Sequence, residues 1–344
     1  MAGDERPLLA ITMGDPAGIG PEICLKALRH DELHTVCRPI VVGDRRILER
    51  AAGWVGRPRG GFDVVDAPAR GRYEPGVVTL LDLDNADPED CPPGRERASA
   101  GRAAVEYVFR ACDLALEGAV DAVVTAPLNK AAMQLAGFRY PGHTELLAER
   151  TGARRVRMLL IGPTLRVIHV STHVSLAEAL RRVTQADVAA AIDLAWESCR
   201  ALGIAAPRIA VAGLNPHAGE GCLFGDEDER EILPAARAAR ARGLDVSDPQ
   251  PPDTVFLRAT QGEFDIVVAM YHDQGHIPMK LLAFDSGVNV SIGLSIIRTS
   301  VDHGTAFDIA GSGRAREASL LAAIDVAVRM VAARRGAVSG KAQP

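Results

Sequence analysis

The chain has 344 residues, enough for two α/β domains of ordinary size, and its 47% hydrophobic and 24% charged residues are typical of a globular protein. The formal net charge of -5 argues against nucleic acid as a partner, because proteins that bind phosphate backbones usually carry a basic excess. The six cysteines show no C-x-x-C spacing, the N-terminus has no basic and apolar leader, and no apolar run has the length of a membrane span. These features predict a reduced, cytoplasmic protein with no membrane partner.

Short apolar runs rich in β-branched residues alternate with longer stretches rich in Ala, Leu, Arg and Glu. The apolar runs are predicted to form buried parallel strands, at residues 7–13, 39–43, 119–126, 165–170, 208–212 and 266–271. The longer stretches are predicted to form helices, at residues 21–29, 98–117, 185–202, 229–242 and 315–335. This alternation predicts a doubly wound α/β architecture, with turn-rich loops at residues 56–61, 86–94 and 247–253.

The first predicted strand leads into a glycine-rich loop, MGDPAGIGPE, in which Gly14, Gly18 and Gly20 allow a sharp turn into a helix near Pro21. The spacing matches neither the G-x-G-x-x-G nucleotide fingerprint nor a Walker A loop, since no Gly-Lys-Ser/Thr follows. A standard Rossmann nucleotide site is therefore not predicted from this segment, and the glycines can be purely structural.

Three histidines follow predicted strands: His173 closes VIHVSTH, His217 lies in GLNPHAGEG, and His272 follows VVAMY. The carboxyl ends of parallel strands are where α/β proteins place their chemistry. Imidazoles from three loops could hold one divalent ion and leave coordination positions open for a substrate. Zinc suits this ligand type, with cobalt, manganese and magnesium as alternatives. The competing interpretation is that each histidine bonds backbone or caps a helix.

Residues beside these histidines have more than one interpretation. Asp273 follows His272 and could orient a ligand histidine, take the proton of a substrate alcohol, or cap a helix. His169 lies within a predicted strand and is interpreted as a core residue whose hydrogen bonds are satisfied. His276 lies four positions after His272, in a segment with glycine and proline that is interpreted as a loop.

Polar residues with affinity for anions stand between apolar stretches in the C-terminal third: Lys280, Asn289 and Arg298. A buried cation is costly unless it has an anionic partner, and Arg298 can give a planar pair of donors to phosphate or carboxylate. His143 and Thr144, in PGHTE, add compact donors beside a glycine. Together these residues predict an anion-binding site next to the metal.

As a set, the motifs resemble one family. The chain contains, in order, MGDPAGIGPE, TAPLNK, GHTE, STH, GLNPHAGEG, FGDE, YHDQGHIPMK, GVNVSIGL and RTSVDHGTAFDIAG. This set resembles the 4-hydroxythreonine-4-phosphate dehydrogenase family, including its D-threonate/D-erythronate 4-phosphate dehydrogenase branch.

The resemblance implies an α/β fold of two α/β/α domains, similar to that of the isocitrate and isopropylmalate dehydrogenases, which use NAD without the Rossmann glycines. It implies an active site in the interdomain cleft, at the interface of a homodimer. Residues 1–135 and 290–344 are expected to form an α/β domain on the NAD side. Residues 136–289 are expected to form a central α/β domain with the metal ligands and the dimer interface.

The resemblance also implies roles for individual residues. The implied metal ligands, contributed from both subunits of the dimer, are His173, His217 and His272. The implied substrate-binding residues are His143, Thr144, Lys280, Asn289 and Arg298. The segment HGTAFDIAG resembles the cofactor loop of the isopropylmalate dehydrogenases, and the adenosine end of NAD is expected near His303, Gly304, Thr305 and Asp308. Asp273 and Lys280 are the candidates for proton transfer.

The implied reaction is oxidation of a secondary alcohol by NAD, assisted by one divalent metal, followed by loss of carbon dioxide from a small phosphorylated hydroxy acid. The expected substrate is 4-hydroxy-L-threonine 4-phosphate, of pyridoxal 5'-phosphate biosynthesis. The alternatives are D-threonate or D-erythronate 4-phosphate, of sugar-acid catabolism, and an aromatic cis-dihydrodiol carboxylate. Two other classes of function compete with this one: a non-catalytic metabolite sensor, and a metal-dependent phosphatase or lyase.

Overall fold

A computed structural model describes residues 4–154 and 156–339 and has the α/β fold class that the sequence predicts. The chain divides into two compact units. Of the described residues, the first unit contains 4–154, 156 and 294–335, and the second contains 157–293 and 336–339. The domain boundaries expected from the family resemblance, after residues 135 and 289, stay a prediction.

The strands and helices alternate along most of the chain. In the described residues the strands are β1 Leu8–Thr12, β2 Arg38–Gly43, β3 Phe62–Val65, β4 Val78–Asp82, β5 Ala122–Thr125, β6 Arg157–Ile161, β7 Arg166–His169, β8 Arg208–Ala212, β9 Asp245–Gln250, β10 Ile266–Ala269, β11 Val288–Ile292 and β12 Arg298–Val301. The α-helices are α1 Gly20–Ala27, α2 Leu33–Val36, α3 Arg45–Val55, α4 Ala98–Leu116, α5 Lys130–Leu135, α6 His143–Thr151, α7 Leu176–Arg181, α8 Gln185–Ala201, α9 Leu233–Ala241, α10 Val255–Thr260, α11 His272–Ala283 and α12 Ala318–Ser339. Among residues 4–154 and 156–339, no helix combines the length and apolar character that crossing a membrane requires.

The sheet of the first unit is parallel, in the order β3-β4-β2-β1-β5-β12. Its strand β1 is buried along its whole length, and Leu9 pairs with Pro39 of β2 on one side and with Ala122 of β5 on the other. Strands that are buried on both faces are continuous apolar runs in the sequence, which is why β1, β2 and β5 are predictable from it.

The sheet of the second unit has the order β11-β6-β7-β10-β8-β9. Strands β7, β10, β8 and β9 are parallel, whereas β11 and β6 pair in antiparallel fashion with their neighbours up to β7. Its core includes the fully buried side chains of Leu160, Val167, Ala210 and Val267. Because β7, β10 and β8 run in the same direction, their carboxyl ends lie along one edge of this sheet.

Two segments predicted as loops are regular structure. Strand β9 covers part of residues 247–253, and its Pro249 is tolerated because β9 is an edge strand with an irregular register against β8. The segment after His272 is helix α11, with Pro278 inside it. A Cβ at Gly275 would lie 2.4 Å from Nε2 of His169, so this glycine marks close packing of α11 on β7 and not a turn.

Two glycines within helices make a matched pair for testing the packing of the first unit. Gly101→Ala in α4 would place a Cβ 2.1 Å from the carbonyl oxygen of Ala132 in α5. We expect it to lower the free energy of unfolding by about 1–3 kcal/mol, because the helices must move apart. Gly53→Ala in α3 meets no described atom within 4 Å and should raise the free energy of unfolding by up to about 1 kcal/mol, since alanine favours helix. Urea unfolding followed by circular dichroism measures both, and equal effects would contradict the close packing of α4 on α5.

Candidate functional site

Three loops that carry histidines begin at the same edge of the second unit's sheet. His173 lies after β7, His217 lies after β8, and His272 is the first residue of α11, which follows β10. Because β7, β10 and β8 are parallel neighbours, loops that are distant in the sequence start close together. This edge of the sheet therefore collects the residues that the sequence singles out for metal chemistry.

His173 and His272 line one cavity of about 250 Å³, together with Thr172, Tyr271 and Asp273. The centroids of the two imidazole rings lie 5.7 Å apart. Oδ1 of Asp273 lies 2.7 Å from Nδ1 of His272. A proton on Nδ1, donated to this carboxylate, leaves Nε2 as an electron-pair donor, which is the arrangement that metal-binding histidines use. The donor chemistry of this cavity therefore fits a divalent ion.

The contacts of Asp273 decide between its interpretations. Tyr271 is the N-cap residue of α11, and Asp273 lies within the first turn of the helix. The interpretation of Asp273 as a helix cap is therefore wrong. Its hydrogen bond to His272 favours the role of orienting that imidazole.

His217 lies in a distorted turn, Pro216–Gly219, and has a left-handed φ of 53°. Its ring centroid lies 6.3 Å from that of Phe224. Within the part of the chain that the structure describes, no three His, Cys, Asp or Glu side chains are grouped so that they could hold a metal ion. One chain thus brings His173 and His272 to a common cavity without His217, whose role as a ligand stays a prediction.

A column of three imidazoles lies behind the cavity. The ring of His276 stacks on that of His272, with centroids 3.6 Å apart and planes at 11°, and the His169 centroid lies 4.7 Å from that of His276. Burial, with the added effect of His276 and His272, lowers the pKa of His169 to about 3, so this ring is neutral at physiological pH. His169 is a core residue, but neither of its ring nitrogens has a hydrogen-bond partner among the described residues. The ring packs against Gly275 and His276, as the interpretation of His169 as a core residue predicts.

Basic groups converge in the first unit. Arg298 begins β12, is buried, and donates to Oγ1 of Thr125 at 2.6 Å. Burial lowers the pKa of Arg298 to about 9, because a guanidinium is costly to hold away from water. Burial, followed by the charges of Arg298 and Lys130, holds the pKa of His143 well below its usual value. The carboxylate of Glu145 offsets part of the charge of Arg298, and a bound anion would offset more of it. We call Arg298, His143 and Lys130 the anion pocket.

The remaining predicted substrate residues lie on three elements. Thr144 follows His143 in α6 of the first unit. In the second unit, Nζ of Lys280 on α11 lies 5.8 Å from the centroid of the Phe284 ring. Nδ2 of Asn289 on β11 contacts Sδ of Met158 at 2.8 Å, and its Oδ1 is buried with no hydrogen-bond partner among the described residues. A buried amide oxygen of this kind is available to a ligand, but the roles of these residues stay predictions.

The predicted NAD loop, residues 303–311, packs on the glycine-rich loop that follows β1. The carbonyl oxygen of Thr305 accepts a hydrogen bond from the N–H of Ile19 at 3.1 Å. A Cβ at Gly18 would lie 3.0 Å from Cβ of Thr305, so this glycine permits the two loops to approach. The N–H of Gly311 donates to Oε1 of Glu22 at 2.6 Å and fixes the other end of the loop.

Two features of this loop fit a polar ligand. Nε2 of His303 is buried with no hydrogen-bond partner within the described ranges, while Nδ1 lies 3.0 Å from the carbonyl oxygen of Gly304. Gly304 and Asp308 are exposed. The loop therefore presents polar groups on a well-anchored backbone, and its assignment to NAD stays a prediction.

The sequence prediction assigns no role to three residues that lie in or beside these sites. Lys130 is found only through its position beside His143, although it closes the motif TAPLNK. His276 is found once α11 is known to be a helix, since positions four apart then share a face. Asp15 is buried in the glycine-rich loop, accepts from the N–H of Ala17 at 2.8 Å, and has its pKa raised to about 6 by burial.

Dehydrogenases are similar to this chain over nearly its full length, both among solved structures and among curated proteins. A crystal structure of 4-hydroxythreonine-4-phosphate dehydrogenase from Klebsiella pneumoniae matches with a TM-score of 0.87 and 47% identity, covering 96% of this chain and 99% of that one. D-threonate 4-phosphate dehydrogenase of Cupriavidus necator is 51% identical, over 93% of this chain and 96% of that protein. The 4-hydroxythreonine-4-phosphate dehydrogenase of Desulforapulum autotrophicum is 47% identical, over 94% and 95% respectively. These matches define the chain as an oxidoreductase of the dehydrogenase class.

The family model of the pyridoxal phosphate biosynthetic protein PdxA matches residues 35–327. The chain belongs to this family. The resemblance on which the motif-based prediction rests is therefore confirmed.

Inorganic phosphate tests the anion pocket. We expect phosphate to raise the melting temperature of the wild-type protein, because a ligand that binds the folded state stabilises it, by about 1.4 kcal/mol at ten times Kd. Arg298→Met should remove most of this phosphate-dependent shift, whereas Arg102→Met, at an exposed position of α4, should retain it. Differential scanning fluorimetry at constant ionic strength measures both. A full phosphate-dependent shift in Arg298→Met would contradict the pocket.

Proposed function

We propose that the chain catalyses NAD-dependent and divalent-metal-dependent oxidation and decarboxylation of a 4-phosphorylated hydroxy acid. The candidate substrates are D-threonate 4-phosphate and 4-hydroxy-L-threonine 4-phosphate, because relatives of both names match, at 51% and 47% identity. The observation that carries the proposal is the cavity lined by His173 and His272, in which Asp273 bonds to His272. The cysteines are free, in keeping with the reducing cytoplasm to which we assign the protein.

The imidazole cavity supports the proposed metal site. When bound, a divalent ion supplies Lewis-acid chemistry that stabilises negative charge on a substrate oxygen. Asp273 sets the tautomer of His272, and the stacked ring of His276 sets the plane of the same imidazole. Zinc is the preferred ion for imidazole ligands, with magnesium, manganese and cobalt as alternatives.

The anion pocket supports a phosphorylated acid as the substrate class. Arg298 can give two parallel donors to one phosphate or carboxylate, and Lys130 adds a charge beside His143. Because burial keeps His143 neutral, its imidazole serves as a hydrogen-bonding group and not as a third cation. We assign Thr144, Lys280 and Asn289 to the remaining polar groups of the substrate.

The loop of residues 303–311 supports a nucleotide site. When bound, NAD would supply the acceptor for the hydride that leaves the substrate carbon. We assign the adenosine end of NAD to His303, Gly304, Thr305 and Asp308. The buried Nε2 of His303 supports this assignment, since it has no hydrogen-bond partner among the described residues.

The reaction requires one proton to leave the substrate hydroxyl and one to reach the carbon that loses carbon dioxide. The carboxylate of Asp273 already bonds His272, which favours an orienting role for it. We therefore assign proton transfer to Lys280, which lies further along the same helix, α11.

Among the residues that the structure describes, no third ligand is grouped with His173 and His272, and a homodimer would complete the metal site. Helix α11 begins with His272, and together with its C-cap residue, Phe284, it exposes an apolar face. This face is formed by Ile277, Leu281 and Phe284, whose exposed fractions are 58%, 82% and 71%. Apolar side chains this exposed on one helix are typical of a protein interface. We propose that a second copy of the chain covers the α11 apolar face and that the partner subunit supplies His217 to the ion held by His173 and His272.

A substrate panel tests the reaction. Protein with NAD and zinc, manganese or magnesium should form NADH with D-threonate 4-phosphate, D-erythronate 4-phosphate or 4-hydroxy-L-threonine 4-phosphate. A chelator should abolish NADH formation and added metal should restore it. Turnover of an aromatic cis-dihydrodiol carboxylate alone would favour that alternative substrate over a phosphorylated acid. Release of inorganic phosphate without NADH would identify a phosphatase, and binding of the acids by calorimetry without NADH would identify a sensor.

Mixed dimers test the shared metal site. His173→Ala and His217→Ala should each be inactive as homodimers. Co-expressed with different affinity tags and purified as the mixed dimer, they should regain about half of wild-type activity, because one of the two sites then holds only intact ligands. The pair His173→Ala and His272→Ala should not regain activity, since both residues serve the same site. An inactive His173/His217 mixed dimer would contradict this division of the ligands.

A further inference from the structure

The loop after β8 has an unusual backbone. His217, Ala218, Glu220 and Cys222 have left-handed φ values of 53°, 56°, 43° and 69°. Residues with a Cβ adopt this region rarely, and they remain there only when surrounding contacts hold them. The turn that carries His217 therefore depends on contacts from outside itself.

Asp228 supplies these contacts. This residue is 2% exposed and begins a short π-helical turn, Asp228–Ile232, that leads into α9. The N–H of Leu214 donates to its Oδ1 at 2.8 Å, and the N–H of Asn215 donates to its Oδ2 at 3.1 Å. Nδ2 of Asn215 donates to the same Oδ2 at 3.0 Å. One carboxylate thus holds the two consecutive residues that lead into the His217 turn.

The charge of Asp228 makes these contacts strong. In the described part of the chain, no lysine or arginine forms an ion pair with this buried carboxylate. Its negative charge is therefore stabilised by the three N–H donors, and hydrogen bonds to an ionised acceptor are stronger than neutral ones. If the carboxylate is lost, the partly buried N–H groups of Leu214 and Asn215 lose their acceptor as well.

The space around Asp228 shows how closely the loop approaches it. A Cβ at Gly213 would lie 2.9 Å from Oδ1 of Asp228 and 2.8 Å from Cβ of Ala218. Because Gly213 has no side chain, Gly213 and Ala218 can lie close together beside the carboxylate of Asp228.

We propose that Asp228 is a positioning residue for His217. By fixing the backbone of Leu214 and Asn215, it sets the left-handed turn in which His217 lies and so prepares this imidazole for a divalent ion. The inference rests on the proposed function, in which His217 is a metal ligand.

Cobalt(II) binding to the metal-free, full-length protein tests the proposal. Asp228→Asn should bind cobalt about 10–100-fold more weakly than the wild type, which is the usual effect of removing a residue that orients a metal ligand. The matched control is Asp226→Asn: Asp226 is exposed and pairs with Arg230 at 2.7 Å, and its loss should leave the cobalt affinity unchanged. Titration followed by the visible absorption of bound cobalt gives the affinities.

Hydrogen exchange gives a readout that does not depend on metal. The amides of Leu214 and Asn215 should exchange faster in Asp228→Asn than in the wild type, and at the wild-type rate in Asp226→Asn. If Asp228→Asn does not fold, Asn215→Ala replaces it; this variant removes one hydrogen bond to Asp228 and should weaken cobalt binding to a smaller extent.

The outcomes separate this proposal from the proposed function. Wild-type cobalt affinity and wild-type exchange in Asp228→Asn would overturn the role of Asp228 while leaving the metal site intact. A wild-type protein that binds no cobalt would overturn the proposed function, and the positioning role with it. Weaker binding and faster exchange in Asp228→Asn, with a normal Asp226→Asn, would support both.

Discussion

Parallel pairing of β7, β10 and β8 is the constraint on which the second unit's site depends. It brings the loops of His173, His217 and His272 to one edge, although they are far apart in the sequence. Packing within the core also holds this edge in place. His169, the last residue of β7, packs against His276, and the ring of His276 stacks on that of His272. The cavity therefore rests on the core of the sheet and not on flexible loops alone.

The sequence predicts those strands and helices whose pattern of burial is regular along their length. Strands that are buried on both sides, such as β1 and β10, are continuous apolar runs in the sequence. Long helices, such as α4 and α8, are stretches in which apolar residues recur with the helical period. Strand β3 is only partly buried and β9 contains Pro249 at an edge, so their sequences resemble loops. Helix α11 is not predicted from the sequence because Gly275 and Pro278 are residues typical of turns. The reason for the glycine is its close packing against β7, which only the structure shows.

For the site, the sequence motifs identify candidate residues but not the contacts and distances between them. A cation in the apolar context of Arg298 indicates a buried charge, yet its bond to Thr125 and the proximity of Lys130 to His143 depend on where β5, α5 and α6 lie. Asp273 has three interpretations in the sequence, and one distance, 2.7 Å to His272, favours orientation. The sequence does not single out Asp228, because a carboxylate is common at the start of a helical turn. Its hydrogen bonds to the loop that carries His217 are visible only in the structure.

Gly275 limits the substitutions that helix α11 can accept. Helix α11 has 12 residues, and Gly275 lies three positions after its first residue, His272. His272 lies on one side of Gly275 and Lys280 on the other, and there is no room at Gly275 for even a methyl group. A side chain added there would require the side chains of His169 and Val167, or α11 itself, to move. Because His169 also packs against His276, whose ring stacks on that of His272, such a movement would reach the imidazoles behind the cavity.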